Sequence, residues 1–358
     1  MKLYYIFTFA VLLFFSCNVS DNSEEIIDNS KKLKEKKSYV IVSYNVENLF
    51  DTLNDPETFD DEFTPEGSKH WTKKRYDKKI SNISRVLSDI SGDLPAIIAL
   101  CEVEHRSVTE DLASSKALKS GHYKVIHREG PDTRGIDVAL MYRSDLFNVK
   151  SYEAIPVMVK GSYSKLRNIL YVKGGFAEGK NFHIFVNHWK SRRGGADKTE
   201  YKRIAAAEIL RKKADEIFAE DKNAYIIILG DFNDEPGSKS LLKVLRATNN
   251  DANPAFDEFY NLLYDKYLEG EGTNFGNYRK YMLDNLIVSR ALRNGEMYYA
   301  EEGNIFKPNY ILYYNAKAKM KVPDKTYGGR KYYGGYSDHL PVYFILKKKN
   351  ISSKKDNL

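Results

Sequence analysis

Short apolar runs, each bounded by polar residues and several rich in β-branched side chains, recur along the chain and predict buried strands. No internal repeat of fixed period stands out, and no linker rich in Pro and Gly divides the middle of the chain. The pattern therefore predicts one α/β domain. The predicted strands cover residues 40–46, 96–100, 138–142, 169–172, 182–186, 225–229, 283–288 and 341–346.

Three segments between these strands show helical spacing of apolar residues. The apolar positions from Ile80 to Ile90 lie on one face of a predicted helix, which Gly92 ends. Residues 201–218 predict a longer amphipathic helix, and residues 238–245 predict a shorter one. Helices that alternate with strands in this way are typical of an α/β fold.

Polar side chains that could act in catalysis or metal binding lie directly at the ends of most of the predicted strands. A single Asp or Asn at such a place is usually a turn or a helix cap. Six such endings favour a common site, because α/β folds place their sites where strand ends converge. The endings are Asn45 with Glu47 and Asn48, Glu102, Asn187 with His188, Asp231 to Asp234, Asp284 with Asn285, and Asp338 with His339.

The oxygen-rich members of this set suit a hard cation. Asn45, Glu102, Asp231 and Asp338 offer the carboxylate and amide oxygens that Mg²⁺ prefers. His188 and His339 would add acid–base or phosphate-contacting groups near neutral pH, although either imidazole alone could equally be a structural one.

Composition narrows the possible classes of protein. The chain has 358 residues, 42% hydrophobic, and a net charge of +7, which excludes a disordered polar chain and a multi-spanning membrane protein. With only two cysteines, a disulfide framework or a Cys-rich zinc site is excluded as well. The mild basic excess permits an anionic partner without requiring one.

The N-terminal segment predicts export. Lys2 precedes an apolar run over residues 3–15, which is shorter than the ~20 residues of a membrane-spanning helix. We interpret 1–16 as a signal peptide, because Ser16-Cys17 resembles a bacterial lipobox in which Cys17 would be lipidated and become the mature N-terminus. The protein would then be an outer-membrane or cell-surface lipoprotein, and an ordinary signal peptide with a periplasmic or secreted product is the alternative. Residues 17–37 predict a flexible tether, 38–347 the folded domain and 348–358 a polar tail.

Three motifs resemble those of a known superfamily. Ser43-Tyr44-Asn45-Val46-Glu47-Asn48-Leu49-Phe50-Asp51, Gly230-Asp231-Phe232-Asn233 and Ser337-Asp338-His339-Leu340-Pro341-Val342 occur in order across one domain. Together they resemble the endonuclease/exonuclease/phosphatase superfamily, the DNase I-like proteins, and in particular its secreted bacterial nucleases. The resemblance implies an α/β fold, the DNase I-like four-layer α/β sandwich in which two packed mixed sheets are flanked by helices.

The resemblance also implies a metal and the residues that hold it. Glu102 would be the principal metal ligand, with Asn45 and Asp338 completing the site. The expected cofactor is Mg²⁺, with Mn²⁺ or Ca²⁺ as alternatives.

The same resemblance assigns the catalytic roles. Asp231 would orient or deprotonate the attacking water, and Asn233 would hold the phosphate. His339 would bind a phosphoryl oxygen, its ring fixed by Asp284. His188 would act as a general acid on the leaving oxygen, and Asp137 is a weak candidate for the acid that orients it.

Basic residues near the predicted site suggest contacts to phosphates. Arg134, Asn187 and Lys190 are the candidate substrate-binding residues, and basic segments at 190–203 and 68–79 could grip flanking phosphates. A solvated basic face is the alternative interpretation of both segments.

These patterns lead to one main hypothesis about function. The protein would be an exported, monomeric, Mg²⁺-dependent nuclease that acts on DNA or RNA and touches the membrane only through a lipid anchor at Cys17. The alternatives are a phosphatase or phosphodiesterase on lipid or sugar phosphates, and a surface lipoprotein that keeps the fold as a non-catalytic binding module.

Overall fold

The computed structural model describes residues 25–26, 33–161, 165–177, 179–252 and 254–349. The predicted signal peptide, Cys17 and the last nine residues lie outside this part of the chain. Within the described residues, no helix combines the length and apolarity that crossing a membrane requires. The strands are β1 (Glu25–Ile26), β2 (Ser38–Leu49), β3 (Ile97–Val103), β4 (Tyr123–His127), β5 (Asp137–Arg143), β6 (Asn148–Met158), β7 (Lys165–Gly175), β8 (Phe182–His188), β9 (Tyr225–Asp231), β10 (Ala247–Thr248), β11 (Phe259–Asn261), β12 (Asn274–Gly276), β13 (Arg279–Tyr281), β14 (Asp284–Ser289), β15 (Tyr298–Ala300), β16 (Asn304–Ile305), β17 (Leu312–Asn315), β18 (Met320–Pro323), β19 (Tyr327–Gly328), β20 (Lys331–Tyr332) and β21 (Val342–Lys348), and the α-helices are α1 (Lys73–Asp89), α2 (Arg106–Ser114), α3 (Ala196–Glu220), α4 (Tyr264–Leu268) and α5 (Arg290–Arg293).

Two mixed sheets contain most of these strands. Sheet I has the order β1-β6-β7-β8-β9-β14-β11-β10, and sheet II has the order β15-β21-β2-β3-β5-β4, with β16 also paired to β21. Strands β8 and β9 run parallel in sheet I, as do β2 and β3 in sheet II. Parallel neighbours of this kind bring their carboxyl ends to the same edge, which places the polar endings together.

The sheets pack face to face, and helices cover their outer faces. Side chains alternate across a strand with a period of two, so one set fills the space between the sheets: Ile97 and Ala99 of β3 share a core cluster with Ile184 of β8. The opposite faces form two further clusters, one with α1 and α2 on sheet II and one with α3 on sheet I. This arrangement confirms the predicted four-layer sandwich.

The predicted elements differ from the structure mainly at their ends. The amphipathic helix predicted at 201–218 begins earlier, at Ala196, and the short helix predicted at 238–245 is a single π-helical turn over Ser240–Leu245. Strands β4 and β6 were not predicted. Strand β4 carries only two aliphatic residues, and β6 alternates irregularly between buried and exposed positions, because register shifts interrupt its pairing with β7.

Candidate active site

Three predicted site residues form one row across sheet I. His188 at the end of β8 lies opposite Asp231 at the end of β9, and Asp231 lies opposite Asp284 at the start of β14. Alternation along β8 and β9 points His188 and Asp231 into the space between the sheets, beyond Val186 and Leu229 of the core. Sheet register alone therefore brings these three side chains to one place.

Glu102 reaches the same place from sheet II through a strained backbone. It has a φ of 64°, and the pairing of β3 with β5 shifts register between Cys101 and Val103. Such a bulge changes the direction of the side chain, and non-glycine residues with a positive φ are often found at functional sites. The Glu102 Oε2 atom accepts a hydrogen bond of 2.9 Å from the backbone N–H of Asn48, which fixes the carboxylate at the cleft.

Asp231 lies at the centre of the hydrogen-bond network. Its Oδ1 accepts the backbone N–H of Asn233 at 2.8 Å, and its Oδ2 accepts the side-chain amides of Asn45 at 3.0 Å and Asn233 at 3.3 Å. Burial raises the pKa of Asp231 to about 6, against the opposing effect of His339. A carboxylate whose proton affinity is raised in this way is suited to accept a proton from water.

His339 is held as a cation by two carboxylates. Its Nδ1 lies 2.7 Å from Asp284 Oδ2, and its Nε2 lies 3.8 Å from Asp231 Oδ2. Burial alone would lower the pKa of His339, but Asp284 and Asp231 outweigh it and hold the pKa well above the usual value. The imidazolium is therefore a fixed positive donor that faces the cleft.

His188 has a different environment. Its Nε2 lies 3.7 Å from both Glu102 Oε1 and Asp231 Oδ2, and in the described part of the chain its buried Nδ1 has no hydrogen-bond partner. Burial and the cations of Arg167 and Arg134 hold its pKa well below the usual value. A negative phosphate next to these cations would offset them and raise the proton affinity of His188.

The carboxylates at the cleft fit a divalent metal. Glu102 and Asp338 both line it. Burial raises the pKa of Asp338, with Glu102 adding to the rise and His339 opposing it, so a cation between these oxygens would stabilise both ions. Two carboxylates suit Mg²⁺, which keeps several waters. The Asn45 side chain is already bonded to Asp231 and to the Glu47 backbone N–H, which makes it the supporting member of the set.

These residues open into one cleft of about 890 Å³ with a basic rim. The predicted substrate contacts Arg134 and Lys190 both line it, and Arg167, Arg193 and Arg279 join them. A volume of this size accommodates more than a single phosphate group. The arrangement provides a proton acceptor, a cationic donor, a metal-binding edge and a surface for flanking negative charge.

A comparison with known protein families identifies the family to which the chain belongs. The model of the endonuclease/exonuclease/phosphatase family matches residues 40–348, which is most of the chain. The chain belongs to the endonuclease/exonuclease/phosphatase family. Membership implies metal-dependent hydrolysis of phosphodiester or phosphate ester bonds. No curated protein matches the sequence.

Solved structures of this family share the fold at low sequence identity. The human Nocturnin catalytic domain with bound sulfate is similar over 91% of this chain and 97% of its own, with 16% identity and a TM-score of 0.55. The TDP2 of D. rerio complexed with single-strand DNA product covers 87% of this chain and all of its own, with 14% identity and a TM-score of 0.54. A family protein from Bacteroides vulgatus has 15% identity and a TM-score of 0.53 over 88% of this chain and 100% of its own.

Asn187 does not lie in the cleft of this family member, contrary to the sequence prediction. It is fully buried, and its amide group donates to the backbone oxygens of Phe185 and Leu229 while its oxygen accepts from Trp189 Nε1. The reason is strand alternation, since Asn187 and His188 point to opposite faces of β8. Asn187 therefore stabilises the strand end instead of contacting substrate.

Three other contacts that the sequence suggested are not formed in the described part of the chain. Segment 68–79 contributes no residue to the cleft; its Lys79 is buried and bonds Thr326 and the Tyr336 backbone. Arg203 in the second basic segment pairs with Asp234 at 2.7 Å, away from solvent. Asp137 accepts the Gly130 backbone N–H and does not contact His188.

Arg167 is a site residue that the sequence did not reveal. Its guanidinium is 6% exposed and donates to the backbone oxygens of His188 and Trp189 and to Asp132. It thus fixes the end of β8 and the loop that carries Arg134. A lone Arg near the start of a predicted strand carries no distinctive pattern, so only the three-dimensional fold could have identified it.

Proposed function

We propose that this protein is an exported, Mg²⁺-dependent phosphodiesterase whose substrate is nucleic acid. The observation that supports this most strongly is the convergence of His188, Asp231 and His339 beside Glu102 at one end of the sandwich. These groups are distant in sequence. Their spacing at the site provides separate positions for the attacking water, for stabilising the negative charge of the phosphoryl group and for the leaving oxygen.

In the proposed reaction, Asp231 accepts the proton of the attacking water, and its amide partners hold the accepting oxygen in place. His339 donates to a phosphoryl oxygen, where its positive charge counts more as negative charge develops. His188 gives a proton to the leaving oxygen. A divalent cation held by Glu102 and Asp338, with Asn45 in support, would neutralise the charge of the transition state.

The basic rim favours a polyanion over a small ester. Arg134, Lys190, Arg193 and Arg279 extend the positive surface beyond the reacting position, and such contacts position a nucleic acid backbone without reading its bases. The structural similarity to a TDP2 complexed with single-strand DNA product agrees with this choice.

The test is a substrate panel offered to the purified full-length protein. We expect supercoiled plasmid or RNA to be cut with Mg²⁺, and no cutting with EDTA or by the Asp231→Ala variant. Asp77→Asn, at an exposed carboxylate that does not line the cleft, is the matched control and should retain full activity. Turnover of small phosphate esters alone would favour the phosphatase alternative, and no turnover at all would favour a binding module.

We also propose that Cys17 carries a lipid and anchors the protein at a membrane. The support is the apolar run over residues 3–15, followed by Ser16-Cys17 and a charged tether. In a bacterial host, the wild-type protein should fractionate with membranes, and Cys17→Ser should move it to the soluble fraction. Equal partitioning of the two would contradict the anchor.

A further inference from the structure

A second group of ligand-type side chains lies outside the active site, where β4 ends and β5 begins. His127, Glu129 and Asp137 each offer an atom within 4.8 Å of the others. His127 and Asp137 flank the loop over residues 128–136 and Glu129 lies within it, while Asp132, Thr133 and Arg134 of that loop line the catalytic cleft. None of the proposed catalytic steps uses these three side chains.

His127 is the most informative member of the group. Its side chain is 2% exposed, and its Nδ1 lies 3.7 Å from Glu129 Oε1. Among the described residues its buried Nε2 has no hydrogen-bond partner. A buried imidazole nitrogen without a hydrogen-bond partner is available as a metal ligand, and histidine is the commonest metal ligand in proteins.

The Nε2 atom of His127 faces a second acceptor. Asp137 Oδ2 lies 3.9 Å away and already accepts the Gly130 backbone N–H at 2.9 Å. An unpartnered ring nitrogen and a carboxylate oxygen that face each other at this distance leave a place for a cation between them. Their separation is below the ~4.2 Å that two ligands about 2.1 Å from one metal can span.

The geometry points to a Zn²⁺-class cation bound by His127, Asp137 and Glu129. We propose that this metal closes the base of the 128–136 loop and so fixes the substrate-facing Asp132 and Arg134. An imidazole with two carboxylates suits zinc and similar transition metals better than Mg²⁺. The Glu129 side chain is 61% exposed and receives a contact of 3.1 Å from His105 Nδ1, so it closes the site from the solvent side.

The experiment measures Zn²⁺ binding to the purified full-length protein by equilibrium dialysis and metal analysis. The catalytic cleft also binds divalent cations, so every variant carries Glu102→Gln to weaken that site. We expect the Glu102→Gln protein to bind one tight Zn²⁺ and to melt at higher temperature when it is present. Adding Glu129→Gln or Asp137→Asn should weaken that binding about 100-fold or more, since even outer-shell changes cost about 10–100-fold.

Controls keep the result interpretable. Glu129 is exposed, so its substitution leaves the core intact, and Glu216→Gln on the exposed face of α3 is the matched control that should bind zinc normally. Co²⁺ in place of Zn²⁺ should give a visible absorption band that Glu129→Gln abolishes. Failure of Glu102→Gln to bind Zn²⁺, or equal binding with and without Glu129→Gln, would overturn the proposal. Because the readout is metal content, the result is independent of whether the protein cuts nucleic acid.

Discussion

At the scale of single residues, the two active-site histidines are assigned opposite charge states by their neighbours. His339 lies against the carboxylates of Asp284 and Asp231, while His188 faces the cations of Arg167 and Arg134. Burial acts on both rings in the same direction, so the neighbouring charges decide the difference. This difference fits a His339 that stays positively charged and a His188 that exchanges a proton.

The Asp284–His339 pair gives the first residue-scale prediction. Asp284→Asn keeps the shape but removes the charge that holds His339 as a cation, so we expect kcat/KM on plasmid to fall about 10²–10³-fold. The loss should appear mainly in kcat, because the interaction strengthens in the transition state. An unchanged pH–rate profile together with unchanged kcat would contradict the positioning role of Asp284.

His183 provides a prediction about stability that is independent of catalysis. Burial, with the nearby Lys173, lowers the pKa of His183 to about 4 from a usual 6.5. The folded state therefore binds fewer protons at His183 than the unfolded state does. The contribution of His183 to the free energy of unfolding is complete above about pH 6.5 and is lost as the pH falls toward about 4.

The measurement is urea unfolding of the wild-type protein and His183→Gln across this pH range. We expect the stability of the wild type relative to the variant to decrease by about 3 kcal/mol as the pH is lowered. A difference that stays constant with pH would show that the ring does not titrate in this way.

At the scale of elements, α1 is tied to the loop that leads into Asp338 and His339. Lys79 of α1 is buried, donates to Thr326 Oγ1 and the Tyr336 backbone oxygen, and lies 3.9 Å from Glu47. Glu47 in turn accepts the backbone N–H groups of Thr326 and Tyr327. The helix and β2 thereby hold the loop in one position.

Removing the Lys79 cation from the Lys79–Glu47 pair should lower the stability of the fold. Lys79→Met leaves the Glu47 carboxylate buried without its partner, and we expect a loss of about 3 kcal/mol in the free energy of unfolding. The double variant with Glu47→Gln should regain part of that loss, while Lys74→Met on the exposed face of α1 should change little. Denaturant titrations of the wild type, the two single variants and the double variant provide the measurement. Equal effects of Lys79→Met and Lys74→Met would contradict the role of the Lys79–Glu47 pair in holding the loop.

The elements also show what the sequence could predict. Strands with continuous apolar runs, such as β3 and β9, were predicted because burial on both faces leaves a plain pattern. Strand β6 was not, because its exposed and buried positions follow local register shifts that depend on its partner β7. Elements whose pattern is set by a neighbour cannot be identified from their own residues.

At the scale of the whole molecule, the residues at strand ends could be predicted as one site, but their orientation could not. His188, Asp231 and Asp284 converge because their strands are neighbours in sheet I, and their positions at strand ends had already indicated a common site. Asn187 was misplaced because a shift of one residue along a strand reverses the face. Basic residues such as Arg203 were misassigned since charge alone does not show whether a side chain is paired inside the fold.

The central claim is that Asp231 and His339 work as parts of one hydrolytic centre, and their coupling tests it most directly. Plasmid cleavage with Mg²⁺ should be measured for the wild type, Asp231→Asn, His339→Ala and the double variant. Groups that act as a unit show strongly non-additive losses, so we expect the double variant to be about as slow as the slower single variant. Wild-type rates in either single variant, or losses that multiply fully in the double variant, would contradict the account.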